Sequence, residues 1–483
     1  MSLPPEGTLQ CAPLAYLGCA KIFPRHNHDK PLTLSEVGGD RECLGTGSST
    51  PGCSDCNILL LAGVKEGDMD DPYFDHEDFA IALDKLTGNA APGPDGVPAI
   101  SIMLKRGKRT ICRILSQIFK TSFDSGKLPN ILKSSYIIPI HKGESKAEPS
   151  NYRNVSLTSH LIKTFERVLV KPLVKYLESN GWMDAKQHGG RAGRSTLSQL
   201  ILHHDQILQA MEEGSNIDAI YLDFAKAFDK VDHGLLLHKL KQMGVKGKLG
   251  RWIQNFLKGR TNEVLVDDQK SLQFLLKSGI PQGSVLGPIL FLIYISDIGE
   301  NLSVEPFVYI DDTKAIKKIH SEDDVEKLQE DISKLHDWGK RNNMEFNNKK
   351  FVVLRYGKNI EIKENTSYFS GETDEIIKEK ESTRDLGIIM QNDASFIEHT
   401  EKICKKVRQK SLYNRQGWFL RHMWNSLIQK HIDYCSQLWA PEERAAENIE
   451  TLERLHSKNS RSVKNDILGE IEKVENELAT KKK

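Results

Sequence analysis

Phe307-Val308-Tyr309-Ile310-Asp311-Asp312-Thr313-Lys314 is the stretch that decides how this chain is read. Apolar residues of strand-forming type run into two adjacent aspartates, and a second alternating run, Ala315 to Ile319, follows. Aspartate tolerates turn conformations and sits poorly inside a strand. The spacing therefore predicts two antiparallel strands with the acidic pair at the tight turn between them. Neighbouring carboxylates repel, and one of them holds its proton to a higher pH than usual unless a cation neutralises the pair. A divalent ion with a preference for hard oxygen ligands, Mg²⁺ above all, suits such a turn. A solvated Asp-Asp turn is the bland alternative, and only the rest of the chain separates the two.

Upstream, Ile217 to Leu222 is a short apolar run that ends at Asp223, after which Phe224 to Leu240 takes helical spacing with Phe228, Val231, Leu235 and Leu236 on one side. Asp223 is thus predicted at the carboxyl end of a strand, where α/β sites hold their ligands. Convergence with Asp311 and Asp312 would complete a three-aspartate cage for two Mg²⁺ ions, one activating an attacking hydroxyl and the other stabilising a leaving pyrophosphate. Tyr136 to Gly143 and Asn151 to Leu157 read as two short strands presenting Lys142 and Arg153, either a phosphate clamp or two surface cations on a hairpin. Gln187 to Arg194 is a basic loop whose glycines allow close backbone approach and whose two arginines can reach phosphates. Ser278 to Pro288 is a glycine-rich turn entering a buried apolar segment, Ile289 to Ile298. Val325, Leu328, Ile332, Leu335 and Trp338 predict an amphipathic helix, Met344 to Leu354 and Arg384 to Met390 predict strands, and the chain from Ile397 onward is charged and mainly helical.

Composition excludes several classes. At 483 residues the chain accommodates several domains, and its apolar fraction of 39% with 28% charged residues is that of a globular protein. The net charge of +1 says nothing about partners, but residues 101–200 hold 18 lysines and arginines against 6 aspartates and glutamates, a block suited to a polyanion. No apolar run is long enough to span a bilayer, and no secretory signal is legible. Eight scattered cysteines argue against a disulfide scaffold, so an intracellular setting, nucleus or cytoplasm, is expected. Cys53 and Cys56, with Cys43, His26 and His28 nearby, lack the second ligand pair a zinc site needs. Residues 1–65 carry little periodicity and read as poorly ordered or atypical.

Six motifs then stand in one order: Gly93-Pro94-Asp95-Gly96-Val97-Pro98, Asn151-Tyr152-Arg153, Gly193-Arg194-Ser195-Thr196, Tyr221 to Asp229, Gly279 to Pro288, and Tyr309-Ile310-Asp311-Asp312. This ordered set resembles the reverse transcriptase domain of non-LTR (LINE, jockey-like) retrotransposons, from about Asp78 to Met390. The resemblance implies an α+β chain with a right-hand polymerase fold: fingers-like residues 66–210, a ferredoxin-like palm over 211–395, and a helical thumb-like region with a charged tail over 396–483. It implies RNA-directed DNA synthesis, a primer 3′-hydroxyl attacking the α-phosphate of a dNTP opposite an RNA template, with two Mg²⁺ ions and Mn²⁺ as the substitute.

Carried over motif by motif, Asp223, Asp311 and Asp312 would be the metal-binding catalytic carboxylates. Phe228 would lie below the sugar and disfavour a 2′-hydroxyl, Lys142 and Arg153 would hold the triphosphate, and Gln282 and Gly283 would line the nascent base pair. Lys349 or Lys350 would donate a proton to leaving pyrophosphate, and Leu386-Gly387 would lie in the primer-gripping turn. The endonuclease domain that such elements carry upstream is expected to be missing from this chain. Tyr309-Ile310 stands where this branch usually has Phe-Ala, Asn154 where it has Pro, Gly190 where it has Phe, and Phe351 where it has Cys. Those departures leave every catalytic carboxylate in place but fit mutational drift, so a decayed remnant that binds nucleic acid without polymerising is the alternative. A metal-dependent nuclease would explain the carboxylates, but neither the Pro281-Gln282-Gly283 loop nor Phe228.

Overall fold

The computed structural model describes residues 67–86, 90–98, 101–143, 145–184, 186–304, 306–357, 360–371, 375–411, 426 and 429–439. Cys43, Cys53, Cys56, His26, His28 and the tail from Glu442 lie outside the described residues. In chain order the strands are β1 (Ser134–His141), β2 (Tyr152–Thr158), β3 (Asn216–Leu222), β4 (Thr261–Val266), β5 (Gln269–Lys270), β6 (Phe274–Leu275), β7 (Phe307–Tyr309), β8 (Asp312–Ile319), β9 (Val352–Tyr356), β10 (Lys378–Glu379), β11 (Ser382–Asp385) and β12 (Ile388–Gln391). Helix and strand are mixed throughout, in two compact units, each made of discontinuous segments: residues 1–184 with 226–298, and residues 185–225 with 299–483.

The first unit has a sheet in the order β2-β1-β4-β5, with β6 paired to β4. β1 and β2 form the antiparallel hairpin that the sequence predicts, and β1 pairs with β4 in parallel. The helix His160–Ser179 begins where the Ser159 side chain accepts from the Leu161 N–H, and its Ile162, Phe165, Leu169 and Leu173 are fully buried at helical spacing. Phe165 stacks on Phe119 of the helix Ser101–Ser125 and meets Trp252 of the helix Gly247–Leu257 edge to face, at ring separations of 4.4 and 5.1 Å. Such pairs add about 0.5–1.5 kcal/mol each beyond the burial of their area.

In the second unit the sheet order is β10-β9-β3-β8-β7. β3 is central, antiparallel to both β8 and β9, and β7 and β8 are joined by the acidic turn with Tyr309 opposite Asp312. On one face, Ile217 and Ala219 of β3 join Phe307, Ile316, Val352 and Leu354 in a core that includes Leu200, Ile207 and Ala210 of the helix Thr196–Glu212. That helix starts at a reciprocal cap between Ser195 and Ser198. The amphipathic helix Glu322–Arg341 packs along β8 with Val325, Leu328, Ile332 and Leu335 buried, acidic residues in its first turn and Lys340 and Arg341 in its last.

Two stretches differ from expectation. Instead of one helix over Phe224 to Leu240, there are two, Ala227–Lys230 and His233–Gln242. The break comes at Asp232, whose carboxylate accepts from the Leu235 N–H and so starts a new helix. Only the end of the stretch from Met344 is strand: residues 348–350 form a single 3-10 turn before β9. The predicted turn between β11 and β12 is present at Leu386 and Gly387, both with positive φ (+44° and +97°).

Candidate catalytic centre

Within the second unit, Asp223 leaves β3 at its carboxyl end, as the sequence predicts. The chain beyond it stays paired: the Asn347 N–H donates to the Asp223 carbonyl at 2.7 Å, the Ala225 N–H donates to the Glu345 carbonyl at 2.9 Å, and Phe224 stacks on Phe346 at 4.4 Å. This pairing carries the 3-10 turn at Asn348–Lys350 up to the end of β3, and the Lys350 ammonium donates to the Asp223 carboxylate at 2.6 Å. Lys349 shares that turn, but Lys350 makes the ion pair.

The acidic turn sits one strand away. Ile310, between Tyr309 and Asp311, has φ +58°, a left-handed conformation that a β-branched residue adopts at a cost of about 1–2 kcal/mol. Asp312 is exposed at the start of β8, yet its carboxyl is pushed up to about 6, by partial desolvation first and then by the carboxylates of Asp311, Asp385 and Asp223. The aspartates singled out from sequence are therefore close enough to perturb one another. Among the described residues no set of three or more His, Cys, Asp or Glu side chains is gathered in the manner of a metal site. The donor set nonetheless suits a hard divalent cation: oxygen ligands only, an excess of negative charge at Asp312, and a cation, Lys350, already drawn to Asp223. A cleft of about 200 Å³ opens here, lined by Asp223, Asp312, Lys314, Lys350 and the β11–β12 turn at Asp385 and Leu386.

Behind the turn lies a group that the sequence reading missed. Lys314, buried on β8, donates to Asp385 at the end of β11 and lies 3.0 Å from His203 Nδ1. Burial works to raise the Asp385 carboxyl, but Lys314 and His203 hold it down at about 2. Burial, then the Lys314 charge, depresses His203 to about 4. A lysine at an inward position of a strand was the available signal, because such a residue is almost never fully buried without a partner.

The remaining predicted residues belong to the first unit. Lys142 follows β1, where its ammonium donates to the Ser150 carbonyl at 3.1 Å, and Arg153 is an exposed residue of β2 opposite Ile140. The Gln282 carbonyl accepts from the Ser156 N–H of the same hairpin at 2.7 Å. Gly283 has φ +133°, and a Cβ there would stand 2.4 Å from the Ser156 carbonyl oxygen, so this close approach admits only glycine. The Gln282 amide also donates to Asp229 at 3.3 Å, and the Ile280 N–H donates to the Phe228 carbonyl at 2.8 Å. Phe228 stacks on Phe291 at 4.7 Å. The hairpin, the glycine-rich loop and the segment after Asp223 are thus laced together by backbone hydrogen bonds. Fully buried Glu166, unremarked in the sequence, supports the loop from behind by accepting the N–H groups of Val285 and Leu286 at 2.5 and 2.8 Å.

Comparison with known proteins gives this geometry its relatives. The probable RNA-directed DNA polymerase from transposon X-element of Drosophila melanogaster is 26% identical over 77% of this chain and 41% of its own length. The RNA-directed DNA polymerase from mobile element jockey of the same organism is 29% identical over 71% of this chain and 38% of its own. The chain thus spans about two-fifths of the length of these curated relatives. Among solved structures, the telomerase of Candida tropicalis with a telomeric RNA fragment is 14% identical over 72% of this chain and 59% of its own, with a TM-score of 0.40, too slight a likeness to bear an inference. Residues 140–390, more than half of the chain, match the family model described as reverse transcriptase (RNA-dependent DNA polymerase). They include Asp223, the acidic turn, the Gln282-Gly283 loop and the turn before β12, and the chain belongs to the reverse transcriptase family.

Proposed function

We propose that this chain is an RNA-directed DNA polymerase that extends the 3′-hydroxyl of a DNA primer with dNTPs along an RNA template. The observation that carries the reading is the placement of Asp223 after the carboxyl end of β3 and of Asp311 and Asp312 at the β7–β8 turn, on neighbouring strands of one sheet, in a chain of the reverse transcriptase family. In this reading Asp223, Asp311 and Asp312 hold Mg²⁺, which supplies charge neutralisation at the reacting phosphate. Lys350, 2.6 Å from Asp223, is the proton donor to departing pyrophosphate. Lys142 and Arg153 hold the triphosphate by charge and by a guanidinium fork, Gln282 and Gly283 face the nascent base pair, and Phe228 excludes a 2′-hydroxyl. The sheet β10-β9-β3-β8-β7 is read as the palm of a right-hand polymerase, with fingers before it and a helical thumb after it. The test is primer extension on poly(rA)/oligo(dT) with Mg²⁺, wild type against Asp311→Ala. Extension that vanishes in the variant supports the reading. Binding of the template–primer without extension by either chain overturns it in favour of a remnant that only binds nucleic acid.

A further inference from the structure

Gln187 is buried, although the sequence places it in a polar, glycine-rich loop. Its side-chain oxygen accepts from the Gly189 N–H at 2.7 Å and from the Ile310 N–H at 3.2 Å. Ile310 is the left-handed residue of the acidic turn and directly precedes Asp311. Gly189 closes the contact, since a Cβ there would lie 2.6 Å from Ile310 Cγ1 and 2.8 Å from Ile310 N. Around this clamp residues 186–188 run beside β7: the His188 N–H donates to the Val308 carbonyl at 3.1 Å and the Val308 N–H donates to the Lys186 carbonyl at 3.3 Å. The loop is tied in turn to the start of the helix Thr196–Glu212, with His188 Nδ1 2.8 Å from the Ser198 hydroxyl.

We infer that Gln187 is a positioning residue for the acidic turn: its side-chain oxygen holds Ile310 in the left-handed conformation and so fixes how Asp311 and Asp312 are presented. Without that acceptor, the positive φ of a β-branched residue is held only by the two-residue β7–β8 turn and its flanking pairs, and the turn relaxes more readily to conformations that aim the carboxylates elsewhere. The catalytic consequence rests on the polymerase reading; the conformational one does not.

The experiment compares wild type, Gln187→Ala, Ile310→Gly and the double variant as full-length chains. Extension is measured as kcat and as KM for dNTP, and Mn²⁺ binding without nucleic acid is followed by electron paramagnetic resonance. The left-handed preference to be lost is worth about 5–30-fold in population. Gln187→Ala is therefore expected to lower kcat and weaken Mn²⁺ binding by that order, with KM for dNTP within about twofold. Glycine takes positive φ freely, so adding Ile310→Gly should recover several-fold of the loss, which relief of a merely damaged fold would not do. Unchanged kcat and Mn²⁺ affinity in Gln187→Ala overturn the inference, as does a double variant no better than Gln187→Ala. If the wild type binds Mn²⁺ but does not extend, the polymerase reading fails, and the Mn²⁺ series alone decides the role of Gln187. A wild type that does neither overturns both.

Discussion

Removing the carboxylate of Glu166 is expected to unseat the loop that carries Gln282 and Gly283. Glu166 has no solvent exposure, and one of its oxygens accepts both the Val285 and the Leu286 N–H, at 2.5 and 2.8 Å. Those donors stand at the start of the helix Gly287–Tyr294, whose N-cap, Leu286, has no side chain to satisfy them. In Glu166→Ala both lose their acceptor, the Leu286 N–H in a buried site and the Val285 N–H in a part-buried one, at about 1–3 kcal/mol each. The buried Arg260, held down to about 10 by burial, also loses the support of the Glu166 charge. Together these losses set the expected destabilisation at about 3–5 kcal/mol. Glu166→Gln keeps an acceptor of the same shape for both N–H groups while also removing the charge beside Arg260, so it should cost clearly less than Glu166→Ala without matching wild type. Burial raises the Glu166 carboxyl above its ordinary range, against the pull of the two N–H donors and Arg260. The folded state therefore holds this proton more tightly than the unfolded chain. Its penalty is absent below the unfolded pKa and complete above the folded one, so this component of stability declines with rising pH in wild type and is missing in Glu166→Gln. Urea unfolding followed by the fluorescence of Trp252, buried in the same unit, measures all three chains. An alanine variant as stable as wild type, or a glutamine variant as unstable as the alanine one, would refute the account.

Lys350→Ala should leave stability within about 1 kcal/mol, because its pair with Asp223 is largely exposed, yet lower the kcat of extension by about 10²–10⁴ if it is the proton donor. Thermal unfolding and single-nucleotide incorporation check the two halves separately. Lys314→Met and Asp385→Asn should each cost about 3–5 kcal/mol by leaving the other charge buried alone, while the double variant costs much less than their sum in a double-mutant cycle. His203, held at about 4 in the fold, is neutral there, whereas the unfolded chain takes up its proton near 6.5. Stability should accordingly fall as pH drops from about 6.5 towards 4, and a His203→Gln variant followed by circular dichroism should show a shallower slope, the remainder belonging to His188 and His399, which are also held at about 4.

The sequence by itself determined the local pieces. Alternation around Asp311 and Asp312 marked a hairpin, Asp223 was placed at a strand end, and the amphipathic spacing of Val325 to Trp338 marked a helix, because each depends only on side-chain period and turn chemistry over a few residues. The motif order carried the family. What only the tertiary structure decided are the contacts between residues far apart in the chain. Lys350 rather than Lys349 meets Asp223 because the 345–347 segment pairs with the end of β3, a register that no local pattern encodes. The positive φ of Ile310 runs against the propensity of a β-branched residue, and the Gln187 oxygen that meets its amide comes from a segment no local pattern places there. Glu166, Lys314 and Asp385 looked like ordinary charges in helix and strand, whereas burial made Glu166 a fixed partner of the glycine-rich loop and Lys314 and Asp385 fixed partners of each other. An ionisable group acquires such a role from desolvation and a partner, and both are set by which distant segment packs against it.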